Sequence, residues 1–316
     1  MFTLSFPDRA IGKGQGKHRH GWAEVVMAMK EVGDGPIILD DFMDYTFDSE
    51  TKTKRRYNRV YQRPWVGILH HPPTVPRWYN RGGLGFLDMV KLPLFQASAP
   101  HLKCLIVLSE YLRDAIKDHV DAPVVAFKHP FGDSPSKFDP QAFMASNPRN
   151  VLQIGWYLKN TMAIHQLKLR PTFKKIHVRP RENWIDRAHK ICQRQYGQRK
   201  RRGTTQIIGY MSNHNYDRAV CTGVGFMELI DASANNTILD YMGRQAPLIL
   251  NRHPAAVEYL GPDYPLFYDD FEKAHHLLDV GKCLQAHQYL KNMDMSDLSL
   301  DFFIQRLLET IREHAG

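Results

Sequence analysis

Cysteine is scarce in this chain of 316 residues, which holds only Cys104, Cys192, Cys221 and Cys283. None of the four belongs to a C-x-x-C pair, and their spacings match no zinc-binding pattern. A chain this long does not need a disulfide framework to fold. We therefore expect four reduced thiols and a cytoplasmic protein.

Long apolar runs are also missing. No stretch approaches the roughly 18 consecutive apolar residues of a membrane-spanning helix, and the first nine residues lack the basic start and apolar core of a signal peptide. Apolar residues make up 43% of the chain and charged residues 24%, which permits sizeable cores and excludes wholesale disorder. At roughly 150 residues per domain, the length predicts two domains.

Positive charge is present in excess, at a formal net +9, and it is concentrated in two segments. Residues 168–202 contain 13 Lys and Arg and two acids, while residues 52–63 contain six basic residues and no acid. Such local charge indicates a polyanionic partner, such as DNA or another nucleic acid, an anionic membrane surface or a phosphorylated substrate. The alternative is a solvated face that aids only solubility. The candidate contacts are Lys13, Lys17, Arg55, Arg56, Arg199, Lys200, Arg201 and Arg202.

Short runs rich in Val, Ile and Leu alternate with longer helix-like segments, without the polar alternation of a half-exposed sheet. This pattern is typical of parallel strands buried on both faces, so we predict an α/β fold. The predicted strands are Phe2–Ser5, Pro36–Leu39, Trp65–Leu69, Cys104–Leu108, Val124–Phe127, Val151–Ile154, Thr205–Gly209, Gly225–Leu229 and Pro247–Leu250. The predicted helices include Glu110–His119, capped by Ser109, Asn236–Met242, Glu272–Leu278, Cys283–Leu290 and Leu298–Arg312.

The polar segment Gly132–Asn150 carries three prolines and is the best candidate for a linker. It divides the chain into domains at residues 1–145 and 146–316. Two α/β domains of this kind place a cleft between them, and their ligands bind at the carboxyl ends of the strands.

Four motifs follow predicted strands and point to chemistry. Gly12–Trp22 is glycine-rich and basic, which suits either an anion site or a flexible surface loop. His70 and His71 follow a strand, where a histidine can act as a base or simply cap a loop. Gln153–Thr161 is a strand, a glycine turn and Lys159, which can reach a phosphate. Asp231–Met242 places small and polar residues before an apolar helix, a natural phosphate site.

The last two motifs, followed by the strand and loop of Ala246–Leu260, resemble the donor half of GT-B nucleotide-sugar glycosyltransferases. The resemblance covers residues 104–270. It implies two Rossmann-like domains facing a cleft, with the acceptor bound by residues 1–145 and the nucleotide sugar by residues 146–316. The implied donor-binding residues are Gly155, Lys159, Ser233, Asn235, Asn236, Thr237 and Glu258, and Asp240 is the implied catalytic acid. His70 and His71 lie outside the resemblance and are candidate catalytic residues because they follow a predicted strand.

The resemblance implies hexosyl or pentosyl transfer from a nucleoside-diphosphate sugar, without a bound metal or other cofactor. No Asp-x-Asp motif of a metal-dependent transferase is present. The acceptor is a glycan or lipid, or alternatively DNA with a hydroxylated base. A third alternative is a non-catalytic nucleic-acid-binding protein, because Ala232 stands where many retaining members carry an acid.

Overall fold

The computed structural model describes residues 2–4, 22–32, 35–47, 60–79, 84–131 and 136–315. Most of the glycine-rich motif and of the 52–63 segment, with Lys13, Lys17, Arg55 and Arg56, lies outside the described residues. The described chain forms two compact units. The first holds the residues up to Phe131, together with Ala232–Ala234 and the residues from Met295 onward; the second holds the rest.

The first unit contains a parallel sheet of five described strands in the order β1-β2-β3-β4-β5. The strands are β1 (Phe2–Leu4), β2 (Ile37–Asp40), β3 (Trp65–Leu69), β4 (Leu102–Val107) and β5 (Val124–Ala126). The helices are α1 (Trp22–Val32), α2 (Met43–Phe47), α3 (Phe86–Met89), α4 (Pro93–Ser98), α5 (Glu110–Ile116) and α13 (Leu300–Ala315). Every residue of β3 is buried, as expected for a strand covered on both faces.

Alternate residues of β3 supply two separate apolar cores. Val66 and Ile68 pack in one core with residues of α1 and α13. Trp65 and Leu69 pack in the other with residues of α2, α3, α4 and α5. Because successive strand residues point to opposite faces, the two-sided core follows directly from the unbroken apolar sequence of β3.

The second unit contains a parallel sheet of six described strands in the order β11-β10-β9-β6-β7-β8. The strands are β6 (Arg149–Ile154), β7 (Phe173–Val178), β8 (Thr205–Ile208), β9 (Val224–Met227), β10 (Leu248–Asn251) and β11 (Phe267–Tyr268). This is the order of a dinucleotide-binding fold: the chain runs outward from β6 to β8, then returns to β9 on the other side of β6. Ligands of such sheets bind where the order reverses, at the carboxyl ends of β6 and β9.

The helices of the second unit include one within the basic segment. They are α6 (Pro140–Ala145), α7 (Ala163–Gln166), α8 (Asn183–Tyr196), α9 (Asn213–Cys221), α10 (Asn236–Gly243), α11 (Pro254–Leu260) and α12 (Val280–Asn292). The sequence pattern does not predict β7 and α8, because basic residues interrupt their apolar residues. Helix α8 is nevertheless amphipathic, with Ile185, Ala188, His189 and Cys192 buried along one side.

The structure confirms the α/β class and the predicted Ser109 cap, whose side chain accepts the Leu112 N–H. It differs at the predicted linker, where Asp139 caps α6 and Phe143 is buried. The compact units divide near residue 132 instead of residue 145. Residues 272–278 lie mainly in a 3-10 helix, Phe271–Leu277.

The last helix lies in the residue range predicted for the second domain but packs on the first unit, as the GT-B resemblance implies for residues 298–312. Phe303, Leu307 and Ile311 of α13 pack against the first sheet. These residues recur every four positions and so form one apolar stripe, and burying that stripe fixes the helix on the first unit.

No helix in the described ranges combines the length and the apolar character that crossing a bilayer requires.

Candidate functional site

The turn after β6 begins with a glycine that admits no side chain. Gly155 has φ +80°, a conformation that glycine adopts without strain. A Cβ atom at this position would lie 2.7 Å from the Nζ atom of Lys159. The glycine therefore leaves room for the lysine to fold back over the end of its own strand.

Lys159 is the central cation of this turn, and its side chain is almost fully buried. Its Nζ donates to the Ile154 carbonyl at 3.1 Å and to Thr237 Oγ1 at 2.5 Å, and the residue is only 4% exposed. Burial lowers the pKa of the ammonium group to about 7, and the nearby Asp240 carboxylate opposes that fall. The structure thus brings together three predicted donor residues, Gly155, Lys159 and Thr237.

Thr237 lies in the first turn of α10, whose N-terminus is built as the sequence indicates. Asn235 caps the helix, and its Oδ1 accepts the Thr237 N–H at 3.0 Å. Asn236 is exposed, while Ile238 and Leu239 are buried in the core. The N-terminus of α10 carries a positive partial charge, and the Lys159 ammonium lies beside it. Together they favour the binding of an anion.

The turn itself is held by its neighbours. Leu158 has φ +48°, uncommon for a residue with a side chain, and its carbonyl accepts the Ile230 N–H at 2.8 Å. The Asn160 side chain donates to Glu228 at 2.7 Å. Arg199 in turn donates to both oxygens of Glu228, at 2.9 and 2.7 Å. Strain of this kind persists only where surrounding bonds impose it, and it concentrates at functional sites.

Asp240, expected as a catalytic group, is buried in an ion network. Arg244 donates to its Oδ1 at 2.5 Å, and the Tyr216 hydroxyl donates to its Oδ2. Arg244 also donates to Asp217 at 2.8 Å. With both carboxylate oxygens bonded and only 2% of the residue exposed, Asp240 has the contacts of a structural counter-ion.

The other two predicted donor residues, Ser233 and Glu258, form no hydrogen bond to Lys159 or Thr237 within the described chain. Ser233 belongs to the short stretch grouped with the first unit. Its Oγ is buried and has no hydrogen-bond partner among the described residues. Glu258 is half-buried on α11, which follows β10.

A histidine–aspartate pair near β10 was missed by the sequence analysis. His253 caps α11 by accepting the Ala255 N–H on Nδ1 at 3.2 Å, so a neutral ring carries its proton on Nε2. That nitrogen lies 3.2 Å from Asp231 Oδ1 and donates to it. The signal in the sequence was the His-Pro pair that opens a helix directly after a strand.

In the first unit, one aspartate fixes both predicted histidines. Asp44 accepts the backbone N–H groups of His70 and His71, each at 2.9 Å. His70 Nε2 donates to the Asp41 carbonyl at 3.0 Å, and His71 Nδ1 donates to the Leu84 carbonyl at 2.9 Å. Both rings are therefore oriented by backbone carbonyls. The His71 residue is buried, whereas His70 is half-buried.

His70 lies among aromatic side chains that the sequence analysis did not connect with it. Its ring stacks on Phe42, with centroids 3.9 Å apart and planes 2° from parallel. Trp22 approaches its edge at 4.4 Å, and the Trp22 ring also contacts His129. Such packing holds the imidazole in one orientation, which a positioned acid or base requires.

The basic segment divides into paired and unpaired side chains. Arg199 is paired with Glu228, and Arg202 donates to Glu272 at 3.1 Å. Lys200 and Arg201 are exposed. The exposed basic residues of the segment that form no ion pair within the described chain are Lys168, Lys174, Arg181, Arg187, Lys190, Arg194, Lys200 and Arg201.

No protein-family model and no curated protein sequence matches the chain. The chain does match solved structures. HepE of Anabaena, in complex with UDP and glucose, matches with TM-score 0.58 and 12% identity over 92% of this chain and 81% of that one. An E. coli trehalose-6-phosphate structure with bound UDP-2-fluoro glucose matches with TM-score 0.57 and 12% identity, covering 92% and 78%.

A UDP-forming α,α-trehalose-phosphate synthase from Burkholderia xenovorans matches with TM-score 0.53 and 13% identity over 91% of this chain and 76% of that one. At such low identity these similarities show the fold alone. They confirm the GT-B fold that the sequence motifs imply.

Replacing Lys159 with methionine should stabilise the protein. The folded-state pKa of about 7 lies below the unfolded value of about 10.4, so protonation opposes folding between these values. The gain in the free energy of unfolding should therefore grow by about 4–5 kcal/mol in total as the pH falls from about 10 to about 7, and level off below. Denaturant unfolding across this pH range measures it.

The exposed lysine Lys174 supplies the control, because Lys174→Met should leave the pH dependence of unfolding unchanged. A Lys159→Met protein that is less stable than the original at every pH would show that the lysine serves the fold.

Proposed function

We propose that this chain is a glycosyltransferase that moves a sugar from a nucleoside-diphosphate sugar to an acceptor hydroxyl. The observation that carries the proposal is the buried Lys159 ammonium beside Thr237, at the carboxyl ends of β6 and β9. This is the ligand-binding edge of a sheet whose strand order reverses there. The GT-B fold, shared with structures that hold UDP and UDP-2-fluoro glucose, supports the same function.

In this proposal the diphosphate of the donor binds over the turn after β6. Two N–H groups of the Lys159 ammonium are already bonded, to Ile154 and Thr237, and the third has no partner within the described chain. A phosphate oxygen at this position would accept a charge-assisted bond from it. Gly155 lets the donor approach the backbone, and the start of α10 adds its N-terminal dipole.

The chemical step requires stabilisation of the departing nucleoside diphosphate. As the bond to the sugar breaks, negative charge grows on the β-phosphate, and a fixed cation in a dry pocket stabilises that charge strongly. The Lys159 ammonium and the Asn236 and Thr237 end of α10 would provide this stabilisation. We assign Glu258 to the nucleotide ribose, and Asp240 to holding α10 through Arg244.

The first unit would bind the acceptor, and His70 is its candidate polar contact. Because Nε2 of the ring donates to a carbonyl, Nδ1 is the basic nitrogen of the neutral imidazole. It can accept a proton from, or orient, an acceptor hydroxyl. His71 is buried and bonded to Leu84, so we assign it to holding the same loop.

A glycan or lipid acceptor is the first candidate, and DNA with a hydroxylated base is the second. The second is favoured by a basic face on α8, formed by Arg187, Lys190 and Arg194 at helical spacing on the side away from the core. Trp184, at the start of the same helix, is 54% exposed. Cations with an exposed aromatic ring suit a nucleic-acid strand.

Donor hydrolysis decides between an enzyme and a protein that only binds nucleic acid. The protein is screened by thermal shift against UDP-, GDP-, TDP- and ADP-glucose, since a ligand of the native state raises apparent stability. The sugar nucleotide giving the largest shift is then incubated with the protein, and the released diphosphate is measured. No shift and no release would overturn the proposal.

Asn236→Asp should weaken donor binding without unfolding the protein. An acid in the first turn of α10 favours the helix dipole, by about 0.3–1 kcal/mol, yet it repels a diphosphate. We expect an unchanged or higher Tm and about a tenfold rise in Kd, equivalent to roughly 1.4 kcal/mol. Titration calorimetry with the selected sugar nucleotide measures this.

Asn213 offers a matched control, since it is exposed at the first position of α9. Asn213→Asp should have the same small effect on Tm, through the dipole of α9, and should leave Kd unchanged. Equal donor affinity in the Asn236→Asp protein would remove the start of α10 from the site.

Substituting glutamine for Arg187, Lys190 and Arg194 tests the DNA acceptor. If the α8 basic face binds phosphates, affinity for duplex DNA should fall in the variant. The slope of log K against log salt should then flatten by about 0.9 for each phosphate that is no longer neutralised. Donor binding should survive, because these exposed side chains lie on the side of α8 opposite its buried residues. Fluorescence anisotropy at several salt concentrations gives the slope.

Lys273, Lys282 and Lys291 are exposed lysines of the same unit, so their triple glutamine variant removes equal charge elsewhere. An equal loss in both variants would mean that net charge alone attracts DNA. Binding to anionic vesicles without any binding to DNA would favour the lipid acceptor.

A further inference from the structure

A cluster of three histidines in the second unit plays no part in the proposed donor site. His165 lies on α7, His177 on β7 and His189 on α8. One ring nitrogen from each residue lies within 4.8 Å of the other two, and none of the three residues is more than 9% exposed. We propose that these three imidazoles bind a zinc ion. The proposal is independent of sugar transfer.

The histidines are in the protonation state that a metal requires. Burial, with neighbouring positive charges, lowers the pKa of His165 and His189 to about 4 and that of His177 well below its ordinary value. All three rings are therefore neutral at pH 7, so binding does not have to displace a proton from them. Neutral imidazoles without carboxylate or thiolate ligands suit zinc among the abundant divalent ions.

The geometry is close to that of a metal site. His165 Nε2 and His177 Nδ1 are 3.1 Å apart, whereas nitrogens on a tetrahedral zinc at 2.0–2.1 Å lie about 3.3 Å from each other. Without metal, one of the two rings must donate its hydrogen to the other. With metal, each ring carries its hydrogen on the opposite nitrogen, so a change of tautomer and a small ring movement suffice.

A hydroxyl group orients the third ligand. Thr161 Oγ1 lies 3.0 Å from His189 Nδ1, which leaves Nε2 of that ring for the metal. Ligating histidines characteristically bond their second nitrogen in this way, and the bond fixes the tautomer. Thr161 closes the turn that carries Lys159, so zinc would tie this turn to α7, β7 and α8.

The positive charge around the three histidines affects which fourth ligand the zinc ion would take. Lys175, Arg179 and Arg201 are near enough to lower the pKa of His165, and such cations oppose a bare dication. Lys175 directs its ammonium to two carbonyls, those of His165 and Arg202. A water that ionises to hydroxide on the zinc would offset part of this repulsion, so we assign the open fourth position to water or hydroxide.

Metal analysis of the full chain, purified without a histidine tag, tests the site. After dialysis against a weak chelator, elemental analysis should find about one zinc per chain. Cobalt(II) added to the metal-free protein should give the intense visible absorption of tetrahedral coordination. His165→Gln and His189→Gln should each lose both signals while circular dichroism stays unchanged.

Two further variants separate this site from adventitious binding. His275 and His276 form an exposed pair with ring centroids 3.9 Å apart, the kind of pair that captures stray metal. His275→Ala with His276→Ala should keep the full zinc content. Thr161→Val should weaken zinc binding by about 10–100-fold.

Zinc content well below one per chain, with no tetrahedral cobalt spectrum from the folded original protein, would overturn the proposal. Loss of zinc in the His275 and His276 variant, with retention in the His165 and His189 variants, would overturn it equally.

Discussion

The bond from Lys159 Nζ to Thr237 Oγ1 joins the two halves of the second sheet where its strand order reverses. On one side lies the turn after β6, and on the other the first turn of α10. The bond exists because Gly155 has no side chain and because Leu158 and Asn160 are held by the loop that follows β9. Burying a cation lowers the free energy of unfolding. A lysine that is buried despite this cost therefore indicates a role other than stabilising the fold. We interpret that cost as the mark of a binding site for an anion.

The juxtaposition of Gly155, Lys159 and Thr237 could be predicted because local sequence patterns determine it. Gly155, Lys159 and Thr237 each stand just after a buried strand or at a helix start, and the carboxyl ends of parallel strands meet at one edge. The cap by Ser109 was equally readable. Local patterns do not predict which side chains pair when the two residues are far apart in the sequence. The contacts of Asp240 with Tyr216, and of Arg199 with Glu228, are of that kind.

The basic segment shows most clearly where sequence patterns fail. Its charge concealed a buried strand, β7, and an amphipathic helix, α8, because Lys175 is buried and bonded to carbonyls instead of exposed. The three histidines of the proposed zinc site lie 12 residues apart and come from three different elements. No compact motif has such spacing, so only the fold brings them together. The last helix differs, because its apolar stripe was evident and the GT-B resemblance implied that it packs back on the first domain.

The most direct test of the account is whether donor binding takes up a proton through Lys159. Sugar nucleotides have no phosphate group that titrates near neutral pH, so calorimetric titration at pH 8 in buffers of different ionisation enthalpy isolates the protein's contribution. With a free pKa of about 7, the account predicts an uptake approaching one proton per nucleotide, and none in Lys159→Met. Tight binding with no proton uptake by the original protein, or with the same uptake by the variant, would contradict it.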